Sequence, residues 1–335
     1  MAMLGDGGSR RMSKCAIITG VYGQDGSLLA EHLLGLGYRV VGLVTETKKR
    51  FGALESAEII ETDISDSEAM QSIFASVRPD ECYHLAAYHH SSEQQSSTEA
   101  RWKMLRVNFV ATQAILDALL ENAPACRFLY AGSSQMFTAN EDVTVINEST
   151  TFAPSTYYGI TKVASAQLIE LCRRERGLWG LTTILFNHES TRRSTRFLSR
   201  KVTISAAAFK ARGSSAKPKL ELLDLSARTD WSAASDVVRA MHGALQSQSA
   251  HDYVLASGNL HTVGDLVQEA FATVGLDWRE FVVAPSLDAS TTRPCLLGDP
   301  RRAQRELGWR AEKSFSELIR EMVHYDLTAA TVTKT

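Results

Sequence analysis

A glycine-rich turn between an apolar segment and a helical pattern is the feature that most constrains how this chain folds. The apolar segment is 15–19, and an amphipathic pattern covers 27–36. Glycines let the backbone turn tightly and approach a pyrophosphate, and the helix start offers N–H groups to that anion. The turn therefore predicts a dinucleotide site, a plain strand-to-helix turn being the alternative. Its predicted cofactor-binding residues are Gly20, Gly23, Gln24, Asp25 and Gly26.

Strand-like and helix-like segments alternate through the first half of the chain. The predicted strands are 15–19, 38–44, 57–61, 81–86, 127–131 and 181–186. The predicted helices are 27–36, 67–77, 107–121 and 158–175. Such alternation is typical of an α/β fold with a doubly wound parallel sheet, the Rossmann architecture.

The alternation becomes irregular after residue 186. Three short segments, 220–223, 252–255 and 281–283, lie among helical patterns at 235–245, 263–274 and 314–325. We therefore expect a flexible leader at 1–13 and an NAD(P)-binding domain at 14–186. A smaller mixed α/β substrate lobe, 187–335, would interleave with that domain. The loop at 190–199 is predicted to lie near a ligand.

The composition excludes several classes of function. Among 335 residues, 36 Lys and Arg balance 38 Asp and Glu, so the chain lacks the basic excess of a nucleic-acid binder. No apolar run reaches the roughly 18 residues that a membrane span needs. The five cysteines include no CxxC pair, which favours buried thiols in a reducing compartment. Because the N-terminus has no apolar signal core, we expect a cytoplasmic protein.

The end of the second predicted strand bears on the choice between NAD and NADP. Glu46 lies 20 residues beyond Gly26. An acid there accepts hydrogen bonds from the ribose 2′-hydroxyl and repels a 2′-phosphate, which favours NAD. The basic run at 48–50 could attract that phosphate, so NADP stays open. Asp63 and Ile64, after the third strand, are predicted to flank the adenine.

A tyrosine and a lysine occur four residues apart at the start of a predicted helix. Tyr158 and Lys162 would share one helix face. A nearby ammonium and an oxidised nicotinamide would together lower the pKa of the phenol, which normally titrates near 10. The resulting phenolate could take the proton of a hydroxyl while a hydride leaves its carbon. Ser133, roughly 25 residues upstream, could donate a hydrogen bond to the same oxygen.

These motifs resemble those of the extended short-chain dehydrogenases/reductases, and more closely the GDP-mannose 4,6-dehydratase family. The resemblance spans about residues 15–325 and also rests on segments 85–87, 187–190, 192–193, 200–201, 230–231, 296–298 and 307–309. It implies a nicotinamide cofactor, a nucleotide-sugar substrate, and a homodimer or homotetramer joined through helices at about 107–121 and 158–175. It implies further cofactor contacts from Leu85, Ala86, Ala87, His188 and Arg193. It places substrate contacts at Tyr88, His89, His90, Asn187, Glu189, Lys201, Arg228 and Arg293.

The chain departs from the family pattern at the catalytic base. The family reaction oxidises C4 of a hexose, eliminates water across C5 and C6, and returns the hydride to C6. The family's glutamate base stands two residues after the position of Ser133, where this chain has Gln135. A neutral amide cannot act as that base. Either another group (Glu189, His89, His90 or Tyr158) takes the proton, or Gln135 only hydrogen-bonds the substrate.

The positions expected to bind the nucleotide of the substrate also depart from the family pattern. Two family arginines that hold phosphates align with Thr229 and Ala289, while Arg228 and Arg293 lie nearby but displaced. This indicates a different nucleotide, a rearranged set of contacts, or a substrate without a diphosphate.

Three hypotheses follow from these motifs. The first is a dehydratase that transiently oxidises a sugar hydroxyl. The second, favoured by Gln135, is a sugar epimerase or 4-keto-sugar reductase. The third is a non-catalytic cofactor-binding partner. We expect no catalytic metal, because His89, His90 and His188 lack a second set of ligands at a usable spacing.

Overall fold

The structure is a computed structural model that describes residues 13–46, 52–89, 97–212, 219–284 and 293–332. The predicted leader therefore lies outside the described residues except for Ser13. The predicted substrate residue His90, the basic run at 48–50 and the family arginine position Ala289 also lie outside them.

The described residues form alternating strands and helices over most of their length. The strands are β1 (Cys15–Thr19), β2 (Arg39–Val44), β3 (Glu58–Glu61), β4 (Glu81–His84), β5 (Arg127–Ala131), β6 (Val143–Ile146), β7 (Gly180–Leu185), β8 (Asn187–Glu189), β9 (Leu220–Glu221), β10 (Arg228–Ala233), β11 (Tyr253–Leu255), β12 (Leu260–Thr262), β13 (Val282–Val283) and β14 (Cys295–Gly298). The α-helices are α1 (Gln24–Gly35), α2 (Ser67–Val77), α3 (Thr98–Leu105), α4 (Ala111–Asn122), α5 (Tyr157–Arg176), α6 (Leu198–Arg212), α7 (Ala234–Gln246), α8 (Val263–Thr273), α9 (Arg301–Leu307) and α10 (Phe315–Val332).

The predicted parallel sheet is confirmed. Seven strands pair in the order β11-β7-β5-β4-β1-β2-β3, and every pairing is parallel. Because the strands run the same way, the carboxyl ends of β1, β4, β5 and β7 meet at one edge, where ligands bind in folds of this kind. The edge strand β11 comes from beyond residue 186, so the later part of the chain completes the sheet.

Helices cover both faces of the sheet and bury two apolar clusters. On one face, Leu29 and Leu33 of α1 pack with Met241 of α7. On the other, Phe74 of α2 packs with Ile115 of α4. Strands buried on both faces explain why their sequences are continuously apolar.

One predicted helix differs in the structure. The pattern at 107–121 predicts a single helix, whereas the backbone runs from α3 through a π-helical turn, Arg106–Val110, into α4. The buried amide of Asn108 lies in that turn and bonds groups outside the helix. A hydrophobic period alone does not reveal such a turn.

The predicted mixed region after residue 186 is present. Short sheets, β8-β10-β12 and β9-β13, adjoin a third apolar cluster that includes Phe209, Phe271 and Met322. The division near residue 186 stays a prediction. All five cysteines are buried and free, as predicted. Among the described helices, none is long and apolar enough to cross a membrane.

Candidate active site

A cavity of about 500 Å³ at the carboxyl edge of the large sheet brings together most of the predicted site residues. The predicted residues that line it are Gly20, Gly23, Gln24, Asp25, Gly26, Leu85, Ala87, His89, Ser133, Gln135, Tyr158, Lys162, Asn187, His188, Glu189 and Arg193. They come from positions spread over most of the chain, so the parallel sheet is what assembles them.

The glycine turn between β1 and α1 forms one wall of the cavity. Gly20 has a left-handed φ of +70°, and a Cβ there would lie 2.9 Å from the Cα of Ala86. A Cβ on Gly26 would collide with the carbonyl oxygen of Gly20 and lie 2.7 Å from the Cα of Val21. The N-cap residue of α1, Gly23, provides no side-chain cap to the first turn. The start of this helix can therefore receive an anion.

A contact between the buried His188 and the half-buried Asp25 links the glycine turn to β8. Nε2 of His188 lies 2.9 Å from Oδ2 of Asp25, and Nδ1 lies 2.7 Å from the carbonyl oxygen of Phe186. Burial alone would raise the pKa of Asp25, but His188 and Arg193 outweigh it and hold that pKa below its usual value. Burial would lower the pKa of His188, and Asp25 raises it above the ordinary value instead. His188 thus ties β8 to the glycine turn at this wall.

Thr19 and His84 support the loop that follows β4, and the sequence did not single them out. The hydroxyl of Thr19 accepts hydrogen bonds from the N–H groups of Leu85 and Ala86, at 3.1 and 3.0 Å. It lies 2.8 Å from Nδ1 of His84. Burial, helped by the charge of Lys162, lowers the pKa of His84 to about 3 and keeps it neutral. A buried threonine at the end of a strand carries no sequence signal for this role.

Tyr158 and Lys162 lie on the first turns of α5 in the cavity wall, where Tyr158 is half-buried and Lys162 is buried. The hydroxyl of Thr156 accepts from the N–H of Gly159 and caps the helix. Nζ of Lys162 donates to the carbonyl oxygen of Ala131 at 2.7 Å and lies 5.5 Å from the centre of the Tyr158 ring. The predicted shared face of the pair is therefore present.

The pKa values of this pair differ from the prediction. Burial raises the pKa of Tyr158 to about 12, although Arg193 and a hydrogen bond with Ser133 oppose the rise. Burial lowers the pKa of Lys162 to about 7. In the protein alone, Lys162 therefore does not lower the pKa of the Tyr158 phenol, because burial disfavours the charged form of the lysine itself. The predicted fall in the pKa of Tyr158 depended on a bound, oxidised nicotinamide as well as on the lysine.

Gln135 contacts His89 beside the catalytic tyrosine. Nε2 of Gln135 lies 3.1 Å from Nε2 of His89, and the hydroxyl of Thr156 donates to Oε1 of Gln135 at 3.3 Å. The His89 ring meets the Tyr158 ring edge-on, with 4.4 Å between centres, and stacks on Phe197 at 6.0 Å. The amide therefore holds an imidazole against the tyrosine.

Asn108 joins the loop that carries His89 to the helix that carries Tyr158. Its Oδ1 accepts from the N–H of Tyr88 at 2.8 Å, and its Nδ2 donates to the hydroxyl of Thr161 at 3.2 Å. That hydroxyl donates to the carbonyl oxygen of Tyr158 at 2.8 Å. No motif in the sequence identified Asn108, whose position depends on the π-helical turn.

The loop predicted near a ligand, 190–199, does line the cavity. Nε of Arg193 lies 3.4 Å from Oε2 of Glu189, to which the hydroxyl of Ser199 donates at 2.6 Å. The Arg193 guanidinium also lies 3.9 Å from the centre of the Phe197 ring. Further lining residues, which the sequence did not identify individually as cofactor or substrate contacts, include Arg196, Phe197, Leu198, Ser199, Thr229 and Trp231.

Several predicted cofactor residues lie outside the cavity lining. Glu46 is exposed just after β2, and the backbone of Ala86 lies behind Gly20. Asp63 is exposed and forms an ion pair with Arg106 at 2.5 Å. Ile64 is buried and belongs to the apolar cluster on one face of the sheet.

Four predicted substrate residues also lie outside the lining. Tyr88 packs under Lys103, and Lys201 lies on α6. Arg228 donates to Oδ1 of Asp142 at 2.6 Å, and Arg293 pairs with the buried Asp224 at 3.2 Å. Both arginines are thus paired with acidic neighbours, and their contact with a substrate stays a prediction.

Metal ligands do not cluster in the described part of the chain. Among its His, Cys, Asp and Glu side chains, no group of three or more is arranged to hold a metal ion.

Comparison with known proteins identifies relatives over the whole described length. The family model for GDP-mannose 4,6 dehydratase matches residues 17–322. GDP-mannose 4,6 dehydratase 1 of Arabidopsis thaliana is 33% identical over 350 residues, which cover 97% of this chain and 93% of that protein.

Solved structures share the fold at lower identity. A putative epimerase from Burkholderia cenocepacia superposes with a TM-score of 0.80 at 24% identity, covering 95% of this chain and 99% of that one. The dTDP-glucose 4,6-dehydratase of Bacillus anthracis, in complex with NAD, has a TM-score of 0.78 at 15% identity, covering 93% and 96%. At these identities the likeness concerns the fold.

Proposed function

The chain belongs to the GDP-mannose 4,6-dehydratase family, and from that premise we propose that it removes water from the sugar of a nucleotide sugar by transiently oxidising a sugar hydroxyl. The family predicted from the motifs is thus confirmed. One observation carries the proposal: Ser133, Tyr158 and Lys162 face the same cavity as the glycine turn. This arrangement sets a proton acceptor and a dinucleotide cradle side by side.

The cavity fits a nicotinamide dinucleotide as cofactor. A Cβ at Gly20 or Gly26 would occupy space beside the turn, and the start of α1 lacks a side-chain cap. A pyrophosphate would find N–H donors there. A nicotinamide held there would supply the acceptor, and later the donor, of the hydride exchanged with the sugar carbon. The NAD in the Bacillus anthracis dehydratase, which has the same fold, agrees with this assignment.

The preferred cofactor is NAD. Glu46 is exposed directly after β2, where a carboxylate suits a ribose 2′-hydroxyl and repels a 2′-phosphate.

The catalytic roles follow from the contacts within the cavity. Tyr158 takes the proton of the sugar hydroxyl, and Ser133 donates a hydrogen bond to the same oxygen. The positive charge of Arg193 favours the phenolate, as does the hydrogen bond with Ser133. Lys162, hydrogen-bonded to Ala131, fixes a cation behind the phenol ring.

The nucleotide of the substrate is a separate question. Arg228 and Arg293, which the resemblance relates to phosphate binding, are paired with Asp142 and Asp224. Arg196 instead lines the cavity. We therefore expect the diphosphate to be held differently from the family pattern, and GDP-mannose to be one of several nucleotide sugars worth testing.

Gln135 favours a second candidate, a sugar epimerase. An epimerase oxidises and re-reduces one carbon, so it needs no base for an elimination, and the amide of Gln135 is no obstacle to it. The two candidates differ in product mass, because only a dehydratase product is lighter by one water molecule.

A homodimer is the proposed assembly. Apolar side chains of α3, the π-helical turn and the start of α5 are exposed: Trp102 by 68%, Val110 by 42% and Ile160 by 51%. Since large exposed apolar groups on adjacent helices mark interaction surfaces, a second copy would cover them. Ile160→Glu should yield monomers in sedimentation analysis, whereas Leu223→Glu, at an exposed apolar site elsewhere, should not.

Incubation with a panel of nucleotide sugars tests the proposed function. Purified protein is given GDP-mannose, UDP-glucose or dTDP-glucose, and the products and any released cofactor are analysed by mass spectrometry. We expect a released nicotinamide dinucleotide and one product lighter by a water molecule, with no net consumption of cofactor. An unchanged product mass with inverted stereochemistry would favour the epimerase. Tyr158→Phe serves as the inactive control.

A further inference from the structure

We propose that His89 is the base that removes the C5 proton in the elimination step, and that Gln135 positions its ring. This inference rests on the proposed dehydration. Once a sugar carbon has become a ketone, the neighbouring C–H is acidic, and losing water across the next bond requires a group that takes that proton. Gln135, a neutral amide, cannot do so, although it lies at the cavity beside Ser133.

The other titratable groups lining the described cavity already have partners or tasks. Asp25 is paired with His188 at the glycine turn. Glu189 is buried and accepts from Ser199, with Arg193 beside it. Tyr158 receives the hydroxyl proton, and Lys162 is bonded to a backbone carbonyl behind it. Arginines stay protonated and cannot act as bases.

His89 is held where such a base is needed. Its ring contacts the edge of the Tyr158 ring, so it lies next to the group that acts on the adjacent sugar hydroxyl. Phe197 stacks on its other side, which restricts rotation of the imidazole. Asn108 fixes the backbone of the preceding residue, Tyr88. The imidazole therefore has a defined place in the cavity wall.

The contact with Gln135 suits both protonation states of the imidazole. Because the hydroxyl of Thr156 donates to Oε1 of Gln135, the amide NH₂ faces His89 and donates to Nε2, which carries the lone pair of a neutral ring. Turned by half a turn, the amide accepts from an N–H at Nε2 instead, and the lone pair of the neutral ring then lies on Nδ1, the nitrogen that can take a proton from the sugar. A glutamine can thus stabilise His89 before and after the transfer.

The step balances without a further reactant. In the tautomer that carries its hydrogen on Nε2, Nδ1 of His89 forms a bond to the hydrogen leaving C5 of the 4-keto sugar. The electron pair of that C–H bond becomes the C5–C6 double bond as the C6–O bond breaks. The departing hydroxide takes the proton from the imidazolium and leaves as water, so His89 ends the step neutral.

Separating oxidation from elimination tests the proposal. His89→Gln is mixed with the panel sugar that the wild-type protein dehydrates, and the near-ultraviolet absorbance of reduced nicotinamide is followed alongside the product mass. We expect the variant to reduce its nicotinamide but to form dehydrated product at least about 100-fold more slowly. His251→Gln, which changes an exposed histidine outside the cavity lining, should match the wild type.

A second substitution checks that the missing group is a base. Adding Gln135→Glu to His89→Gln supplies a carboxylate beside the vacated position and should restore product formation at least about tenfold. In D₂O, the wild-type protein should also exchange the C5 hydrogen of the 4-keto product, whereas His89→Gln should not. If His89 had only a structural role, the added carboxylate would not restore product formation, and His89→Gln would not specifically abolish exchange at C5.

Three results would overturn the proposal. The first is product formation by His89→Gln within about threefold of the wild-type rate, below the usual contribution of a base. The second is an equal loss of nicotinamide reduction and product, which would mean that His89 acts only through Tyr158. The third is a wild-type protein that reduces nicotinamide but forms no dehydrated product, because there is then no elimination step in which His89 could act as a base. A wild-type protein that neither reduces nicotinamide nor forms a dehydrated product contradicts the proposed function instead, and with it this inference.

Discussion

The ammonium of Lys162 lies 5.5 Å from the centre of the Tyr158 ring but donates its hydrogen bond to the carbonyl oxygen of Ala131. The lysine is therefore held behind the ring rather than at the phenol oxygen. Burial lowers the pKa of Lys162 to about 7 and raises that of Tyr158 to about 12. In the protein alone, the phenol of Tyr158 stays protonated at neutral pH, so bound ligands must lower its pKa before it can act as a base.

Replacing Lys162 with methionine should stabilise the fold while removing activity. The folded-state pKa lies below the ordinary 10.5, so the cost of burying the charge is greatest below about pH 7 and vanishes as the pH rises above 10.5. Lys162→Met should raise the free energy of unfolding by roughly 1–3 kcal/mol near neutral pH, and by less near pH 10. Turnover should fall at least about 100-fold.

Urea unfolding of Lys162→Met at both pH values measures this difference. Lys210→Met, at an exposed position on α6, is the matched control and should change stability little. A Lys162→Met variant less stable than the wild type near neutral pH would show that the buried ammonium contributes to stability.

Arg193 should shift the pH dependence of catalysis. Its charge and the Ser133 hydrogen bond oppose the burial that raises the pKa of Tyr158. Arg193→Gln should move the rising limb of kcat/KM toward higher pH by about one unit. Arg196→Gln, on the same loop, should weaken substrate binding without shifting the rising limb of the kcat/KM profile. Identical limbs in Arg193→Gln and the wild type would exclude this role.

Two glycines of α1 offer a matched test of the cofactor cradle. Gly26→Ala places a Cβ against Gly20 and Val21, so it should abolish cofactor retention and cost roughly 1–3 kcal/mol of stability. Gly35→Ala meets nothing within 4 Å and should stabilise the helix by about 0.5–1 kcal/mol. Calorimetric titration with NAD and thermal unfolding measure both effects. Equal NAD affinity in the two variants would contradict the assignment of the turn.

Glu46 should control cofactor preference. Removing its carboxylate takes away both a ribose partner and a repulsion toward the 2′-phosphate. Glu46→Ala should therefore raise the affinity for NADP relative to NAD by about tenfold, measured by competitive binding. Glu61→Ala, at the exposed end of β3, is the control. An unchanged ratio in Glu46→Ala would exclude the proposed contact.

Much of this site is predictable because the parallel sheet repeats a simple rule. Each strand ends at the same edge, so Gly20 after β1, Ser133 after β5 and His188 after β7 are expected to meet there. The spacing of Tyr158 and Lys162 likewise predicts one helix face, as the structure has it.

Other parts depend on contacts that no local pattern encodes. Asn108 lies in the π-helical turn, which the apolar pattern of the sequence does not reveal. Arg228 looks available in the sequence, but Asp142, far away along the chain, pairs with it. The pairing of Gln135 with His89 depends in the same way on two loops meeting at the sheet edge.

Tracing the hydride tests the central claim most directly. A nucleotide sugar from the panel is supplied with deuterium at C4, and the product is examined by mass spectrometry and NMR. Transient oxidation followed by internal return predicts deuterium at C6 of a product that has lost one water molecule. Deuterium retained at C4, or lost to solvent with consumption of added cofactor, would contradict it.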